Sequence, residues 1–245
     1  MDNQNLLNNI PAKKLQEALF QTLKECEKCK EKTKLGEACE RCNIFNKILQ
    51  KYSSSNIPVK YWKITMQPET FKGGKDLLKK YQEIAEDISK TYTSGTAICF
   101  AGFHGNGKTT VCTNILKRAL EKGYSAHYVT LNDIISNFTA FSKDDKSFVR
   151  NYLLTVDFLV IDEFDSRFFS SENAADLFGK TFEDIFRTRS SNTLPTFLCT
   201  NSKSTTAKEF ADENFHGALK ESINSIMNCV KIFPVIGKDL RIQGL

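Results

Sequence analysis

Gly102, Gly107, Lys108 and Thr109 stand in the spacing G-x-x-x-x-G-K-[ST], a pattern whose chemistry is the cradling of a polyphosphate. Glycines let successive backbone N–H groups turn inward around phosphate oxygens. A helix starting behind Gly107 would add its partial positive charge. On this reading the loop residues Gly102, Phe103, His104, Gly105, Asn106, Gly107, Lys108, Thr109 and Thr110 wrap a nucleoside triphosphate. Lys108 would reach the β- and γ-phosphates, and the Thr109 hydroxyl would ligate Mg2+. A glycine-bearing loop can match such a pattern by chance. Here an apolar run, Ala97 to Ala101, reads as a buried strand before the loop and an amphipathic helix follows it, which favours the phosphate reading.

A second acidic constellation lies in VDFLVIDEFD, Val156 to Asp165. Four apolar residues followed by Asp162 and Glu163 make the Walker B pattern on a central parallel strand. Asp162 would hold Mg2+, through water, and Glu163 would act as general base on the attacking water. The alternative is an acidic pair that merely starts a turn. An acid directly after the metal-binding aspartate points to an ATPase of the AAA+ type rather than a small GTPase, and no N-K-x-D guanine-reading motif is present. A further apolar run, Pro195 to Asn201, ends in a polar residue. Asn201 at that tip can orient water against the γ-phosphate, the sensor-1 role, or simply cap the loop.

The eight cysteines fall into two groups. Cys99, Cys112, Cys199 and Cys229 sit singly in apolar runs, where a free thiol serves as a small buried hydrophobe. Cys26, Cys29, Cys39 and Cys42 form two C-x-x-C knuckles around a short polar loop, the spacing of a four-cysteine zinc site. Two disulfides or four unrelated thiols are the alternatives. With no secretion signal evident, disulfides are disfavoured. Four sulfur ligands fill a tetrahedron, so the ion would be structural rather than catalytic.

The elements that must carry these residues can be read from periodicity. Pro11 opens a helix bearing Leu15, Leu19 and Leu23, and Ile44, Phe45, Ile48 and Leu49 suggest a second after Cys42. The polar tract Ser53 to Asn56 reads as a linker, giving a zinc-binding helical module over residues 1–55 and an ATPase domain over 56–245. One helix is expected from Lys75 to about Thr91. Ala126 to Thr130 reads as a strand, followed by a helix capped by Asn132 or Asp133. The tract SKDDK reads as a bend before a helix from Ser147 to Leu154, Ser171 to Arg189 as a long helix, and Val230 to Val235 as the last strand. Lys143, Lys146 and Arg150, with interleaved phenylalanines, are candidates to track a nucleic-acid backbone. A solvated helix–loop–helix explains them equally well. The formal net charge of +5 permits such a partner without requiring it. No apolar run approaches a membrane span and no basic n-region precedes an apolar stretch, so a cytoplasmic protein is expected.

In their order, GFHGNGKT, FLVIDEFD, RSSNTLPTFLCTNS and the terminal GKDLR resemble the DnaC/DnaI/IstB family of AAA+ ATPases, over residues 60–245. The RSS…PT…TNS stretch is similar to the bacterial and phage helicase loaders. The resemblance implies an α/β fold: a P-loop AAA+ (ASCE) domain with a five-stranded parallel sheet of order 5-1-4-3-2 and no C-terminal lid. It also implies ATP-dependent self-assembly, single-stranded DNA binding, and a replicative hexameric DnaB-type helicase as partner, contacted through the N-terminal zinc module. Arg241 resembles a nucleotide-sensing arginine near the last strand of this family, with solvent-facing structural use as the alternative. One departure stands out. The family's arginine-bearing segment, which supplies an arginine finger to a neighbouring subunit, reads here HGALKESINSI, His216 to Ile226, without arginine. Lys220 cannot reproduce a bidentate fork. Arg187 and Arg189 are the candidate substitutes, and slow hydrolysis without a partner is expected. The reading that follows is an ATP-dependent helicase loader acting on single-stranded DNA in replication initiation, in a bacterial cell or phage-encoded. The alternatives are an IstB-like transposition ATPase and a nucleotide-switched adaptor with little hydrolysis.

Overall fold

The computed structural model describes residues 10–240 apart from 33, 70, 141, 142, 166–171, 215, 216 and 238. The chain divides into two compact units, residues 1–64 and 65–245.

The first unit is a helical pair. Helix α1 (Ala12–Lys24) follows Pro11, whose fixed φ of −61° suits a helix entry. Helix α2 (Glu40–Ser54) starts inside the second cysteine knuckle, with Cys39 as its N-cap, rather than after Cys42. Leu19, Leu23, Leu49, Tyr52, Ile57 and Trp62 are buried in this unit. The tract Ser53 to Asn56 is not a linker. It closes α2: Asn56 takes the left-handed conformation at φ 55°, Asn56 N donates to Ser53 O and Ile57 N to Tyr52 O, a Schellman motif. The chain then stays in the unit, where Trp62 Nε1 donates to Ile57 O at 2.7 Å. Polar composition alone does not separate a linker from a helix C-cap, which is why the boundary falls nine residues later than the composition suggested.

The second unit is a doubly covered parallel sheet. Its strands are β1 (Ala97–Ala101), β2 (Ala126–Thr130), β3 (Phe158–Asp162), β4 (Thr196–Thr200) and β5 (Lys231–Pro234), in the order β2-β3-β4-β1-β5. This is the order the family resemblance implied, and every pairing is parallel. β3 and β4 are buried along their whole length, while edge strand β5 is not. Such strands read as unbroken apolar runs because helices cover both faces. Helix α5 (Lys108–Glu121) packs on one face against β2, β3 and β4. Phe164, Phe182 and Phe210 gather in the core, with Phe164 stacked on Phe210 at 6.0 Å between ring centres.

Three helix boundaries differ from the periodicity reading. The helix before β1 breaks in two, α3 (Lys75–Glu86) and α4 (Ile88–Thr93), because Asp87 leaves helical geometry and its carboxylate accepts from Lys90 N at 2.9 Å. Helix α6 (Leu131–Ala140) is capped by Thr130 rather than Asn132 or Asp133. Thr130 Oγ1 accepts from Asp133 N, and the Asp133 carboxylate returns to Thr130 N, a reciprocal capping box. Helix α7 (Lys143–Thr155) absorbs Lys143 to Lys146 of the charged tract, whose acids suit a first helical turn, while Ser142 lies outside the described residues. Helices α8 (Glu172–Ser191), α9 (Ala207–Asn214) and α10 (Gly217–Asn228) complete the unit. No α-helix follows β5 among the described residues.

Candidate nucleotide site and cysteine cluster

The glycine-rich loop leaves β1 at Gly102 and enters α5 at Lys108, so the strand tip, the loop and a helix N-terminus converge. The loop is held from outside by the segment after β5. Val235 N donates to Ala101 O at 2.6 Å, and Leu240 N donates to Gly105 O at 2.8 Å. The Asn106 side chain, 1% exposed, donates to Val235 O at 2.8 Å. This close approach explains the glycines. A Cβ at Gly102 would collide with Val235 O, and one at Gly105, where φ is +74°, with the Asp239 carboxylate. Phe103 and His104 are exposed at the rim, where Lys203 Nζ lies 4.5 Å from the Phe103 ring centre.

Lys108 is 6% exposed and donates to Gly102 O at 2.7 Å, Phe103 O at 2.6 Å and Asn106 Oδ1 at 3.0 Å. Burial pulls its ammonium below the usual lysine range, partly offset by the nearby Cys199 and Asp162. Thr109 Oγ1 donates to Asp162 Oδ2 at 2.8 Å, joining the two motifs that lie 53 residues apart in sequence. The same oxygen accepts from Tyr128 Oη at 2.7 Å, and Asp162 Oδ1 accepts from Glu163 N at 2.8 Å. These three neutral donors hold the carboxylate, 6% exposed, as an oxygen pair suited to a hard metal. Thr110, half-buried, continues the helix, where its carbonyl accepts from Asn114 Nδ2.

Glu163 is exposed and takes φ +54°, an uncommon conformation for a residue with a side chain, and Phe164 N donates to Cys199 O behind it. Strain of this kind is stored where the surroundings over-determine the backbone. Asn201 follows β4 directly, half-buried; Gly102 N donates to Thr200 O, so the β4 tip lies against the phosphate loop. Tyr128 is the site residue that motif reading missed. Its position in a strand beside β3 is a fact of sheet order, which no local pattern reports.

The remaining candidates separate. Arg189, considered as a substitute arginine finger, is 1% exposed and far from that task. Its five N–H groups meet Thr196 Oγ1 and the carbonyls of Leu153, Val156, Asp157 and Pro195. It is a clamp at the strand entries, opposite the phosphate loop. Arg187 pairs with Glu183 at 2.7 Å and donates to Ser225 Oγ at 2.9 Å, and Lys220 pairs with Asp212 at 2.7 Å. Arg150 is not a free backbone-tracking cation: it is ion-paired with Asp184 on α8. Lys146 is half-buried, whereas the Lys143 side chain and Arg241 lie outside the described residues. Cys99, Cys112 and Cys199 are buried as expected, with Cys199 Sγ 3.2 Å from Cys112 Sγ. Cys229 is exposed instead, because it lies in the turn beyond α10 rather than inside the strand.

In the first unit the four cysteines of the two knuckles converge, their sulfur atoms all within 4.8 Å of one another. Cys26 Sγ lies 3.9 Å from Cys39 Sγ. That matches the edge of a tetrahedron of four sulfurs around zinc, about 3.8 Å for bonds of about 2.3 Å, and is far beyond the ~2.05 Å of a disulfide. Cys39 N donates to Cys29 Sγ at 3.2 Å, so the start of α2 aims an N–H at the cluster. The Cys42 N–H and the Cys29 thiol pull the Cys39 thiol down to about 6, while burial and neighbouring thiols push Cys42 up to about 12. A dication at the centre would draw all four to thiolates. Beside the cluster a cavity of about 820 Å³ is lined by Glu25, Arg41, Ile44, Phe45 and Ile48, and Ile44 is 55% exposed.

The family model described as IstB-like ATP binding protein matches residues 79–232, more than half of the chain. The chain belongs to the IstB-like ATP-binding family. The matched span holds the phosphate loop, Asp162, Glu163 and Asn201, and excludes the cysteine unit. A comparison with curated proteins gives no match. Among solved structures, DnaI is similar with TM-score 0.56 and 18% identity over 74% of this chain and 95% of that one. The DnaC helicase loader is similar with TM-score 0.55 and 19% identity over 72% and 99%. AMPPCP-bound DnaA from Aquifex aeolicus is similar with TM-score 0.53 and 17% identity over 73% and 54%. These likenesses extend the IstB-like fold to replication proteins. No helix among the described residues is long and apolar enough to cross a membrane.

Proposed function

We propose that this protein is an ATP-dependent loader that binds a replicative hexameric helicase and delivers it onto single-stranded DNA. The observation that carries the nucleotide part is the convergence of Lys108, Thr109 and Asp162 at one strand tip and one helix N-terminus. The loop N–H groups and the start of α5 bind the phosphates. Lys108 exchanges its loop carbonyls for β- and γ-phosphate oxygens, which restores the cost of its burial. Thr109 and Asp162 hold Mg2+, which neutralises charge on the phosphates. Glu163 takes the proton of the attacking water, and Asn201 orients that water.

The partner part is supported by the separate first unit. It carries twelve Lys and Arg against seven Asp and Glu, so the whole net charge of +5 lies in residues 1–64. Zinc held by Cys26, Cys29, Cys39 and Cys42 fixes α2, whose exposed Ile44 and Phe45 then offer an apolar face beside Arg41 to the helicase. The likeness to DnaI and to the DnaC helicase loader favours this assignment. ATP-dependent self-assembly and single-stranded DNA binding follow from the same reading. The second reading, a transposition ATPase, is favoured by the description of the matching family. A third, an adaptor with little turnover, is favoured by the arginine-free segment before β5. Hydrolysis and helicase capture, each measured with and without single-stranded DNA, separate the three. A loader captures helicase and hydrolyses ATP with it, a transposition factor binds duplex DNA and ignores helicase, and an adaptor captures without turnover.

A further inference from the structure

We infer that Tyr128 is a positioning residue for Asp162: its phenol sets where that carboxylate points and so how tightly the nucleotide site holds Mg2+. The inference rests on the nucleotide reading above.

β2 and β3 are parallel, with Thr130 opposite Asp162 and Tyr128 opposite Val160. Residues two apart on a strand share a face, so Tyr128, Thr130 and Asp162 lie on the same side of the sheet. The step from the Tyr128 position to the Asp162 position is a diagonal of about 7–8 Å. A side chain crossing it needs that reach and a donor at its end. Tyrosine has both, and phenylalanine, threonine and serine each lack one. The outcome is a bond of 2.7 Å from Tyr128 Oη to Asp162 Oδ2, with Tyr128 7% exposed.

The carboxylate is thereby held at three points: Tyr128 and Thr109 on Oδ2, and the Glu163 N–H on Oδ1. The terminal torsion of an aspartate is otherwise broad. The Glu163 N–H belongs to a strained residue and the Thr109 hydroxyl is itself a metal ligand in the nucleotide reading. Tyr128 is the donor that belongs to neither the loop nor the metal. Two effects oppose each other when its hydroxyl is removed. Orientation is lost, which weakens metal binding, and negative charge on Oδ2 is less neutralised, which strengthens it. In a site this buried the geometry of hard-metal ligands is the stricter demand, so orientation wins.

The test uses the full chain and a fluorescent ATP analogue. Tyr128→Phe keeps the ring. It is expected to bind the analogue in EDTA with wild-type affinity, to melt within about 3 °C of wild type, and to need about tenfold more Mg2+ to reach half of the metal-dependent signal, a shift of about 1.4 kcal/mol. A 3-fluorotyrosine at position 128, isosteric and a stronger donor, is expected to lower that midpoint. A Mg2+ midpoint that is unchanged or lowered in Tyr128→Phe, or unmoved by the fluorinated ring, overturns the inference. If wild type binds no analogue at all, the nucleotide reading fails with it; binding that is lost in Lys108→Ala keeps the two outcomes distinct.

Discussion

Replacing Arg189 by methionine separates a structural arginine from a catalytic one. The guanidinium spends all five N–H groups on four carbonyls and one hydroxyl, joining the end of α7, the entry to β3 and the entry to β4. It is 1% exposed, so water cannot replace it. Methionine fills similar volume but takes away the donors of Leu153 O and Val156 O, now bonded at 2.8 and 2.7 Å, while Pro195 O keeps the Leu159 N–H at 3.2 Å. Unsatisfied buried carbonyls cost about 1–3 kcal/mol each, and relaxation recovers part of the sum for these two, so the loss is about 2–4 kcal/mol. Domains of this size shift by about 2–4 °C per kcal/mol, so Tm should fall by roughly 10 °C. Circular dichroism melting of Arg189→Met and wild type measures this, with nucleotide affinity at 10 °C as the companion readout. The expected outcome is a large drop in Tm with affinity and turnover per folded molecule retained. A Tm within about 2 °C of wild type with turnover reduced a hundredfold or more would refute it and return Arg189 to the catalytic candidates.

Four further outcomes follow from the geometry. Glu163→Gln should retain nucleotide binding and lose hydrolysis by about 10²–10⁴-fold, read in single-turnover assays. Gly105→Ala should weaken nucleotide binding about tenfold, because a side chain at φ +74° costs about 1–2 kcal/mol and displaces the Asp239 carboxylate; calorimetric titration checks it. His127 is buried on β2 and burial holds its pKa down at about 3, so the unfolded chain takes up a proton below about 6.5 that the folded chain excludes. Stability is therefore complete above pH 6.5 and declines by up to about 4 kcal/mol as pH falls toward 3, and His127→Leu should flatten that slope in urea titrations. Removing zinc with a strong chelator should unfold residues 1–64 and leave the melting of the second unit unchanged, since structural zinc contributes about 10–16 kcal/mol to small modules.

The parts of this molecule that were legible in sequence are those written locally. The strands Ala97–Ala101 and Ala126–Thr130 are bounded as read, because an apolar run ended by glycine or a capping residue carries its own limits. The phosphate loop and the four knuckle cysteines were legible because their chemistry demands fixed spacing. The sheet order came from family resemblance, not from periodicity. What escaped was set by tertiary contact. Asp87 divides a helix with no glycine or proline to announce it. Asn56 ends a helix in a tract whose composition suggests a linker. Arg189 lies in a motif-like stretch yet turns inward, and Arg150 finds Asp184 on another helix. Tyr128 matters only because β2 lies beside β3.

The most direct test of the loader assignment is native mass spectrometry of the full chain mixed with the hexameric replicative helicase of the same genome, with and without ATP and Mg2+. The account predicts a stoichiometric complex that disappears when zinc is removed or when Ile44 and Phe45 are both replaced by serine. Separate helicase and loader masses in every condition, with the protein retained instead on duplex DNA, would contradict it.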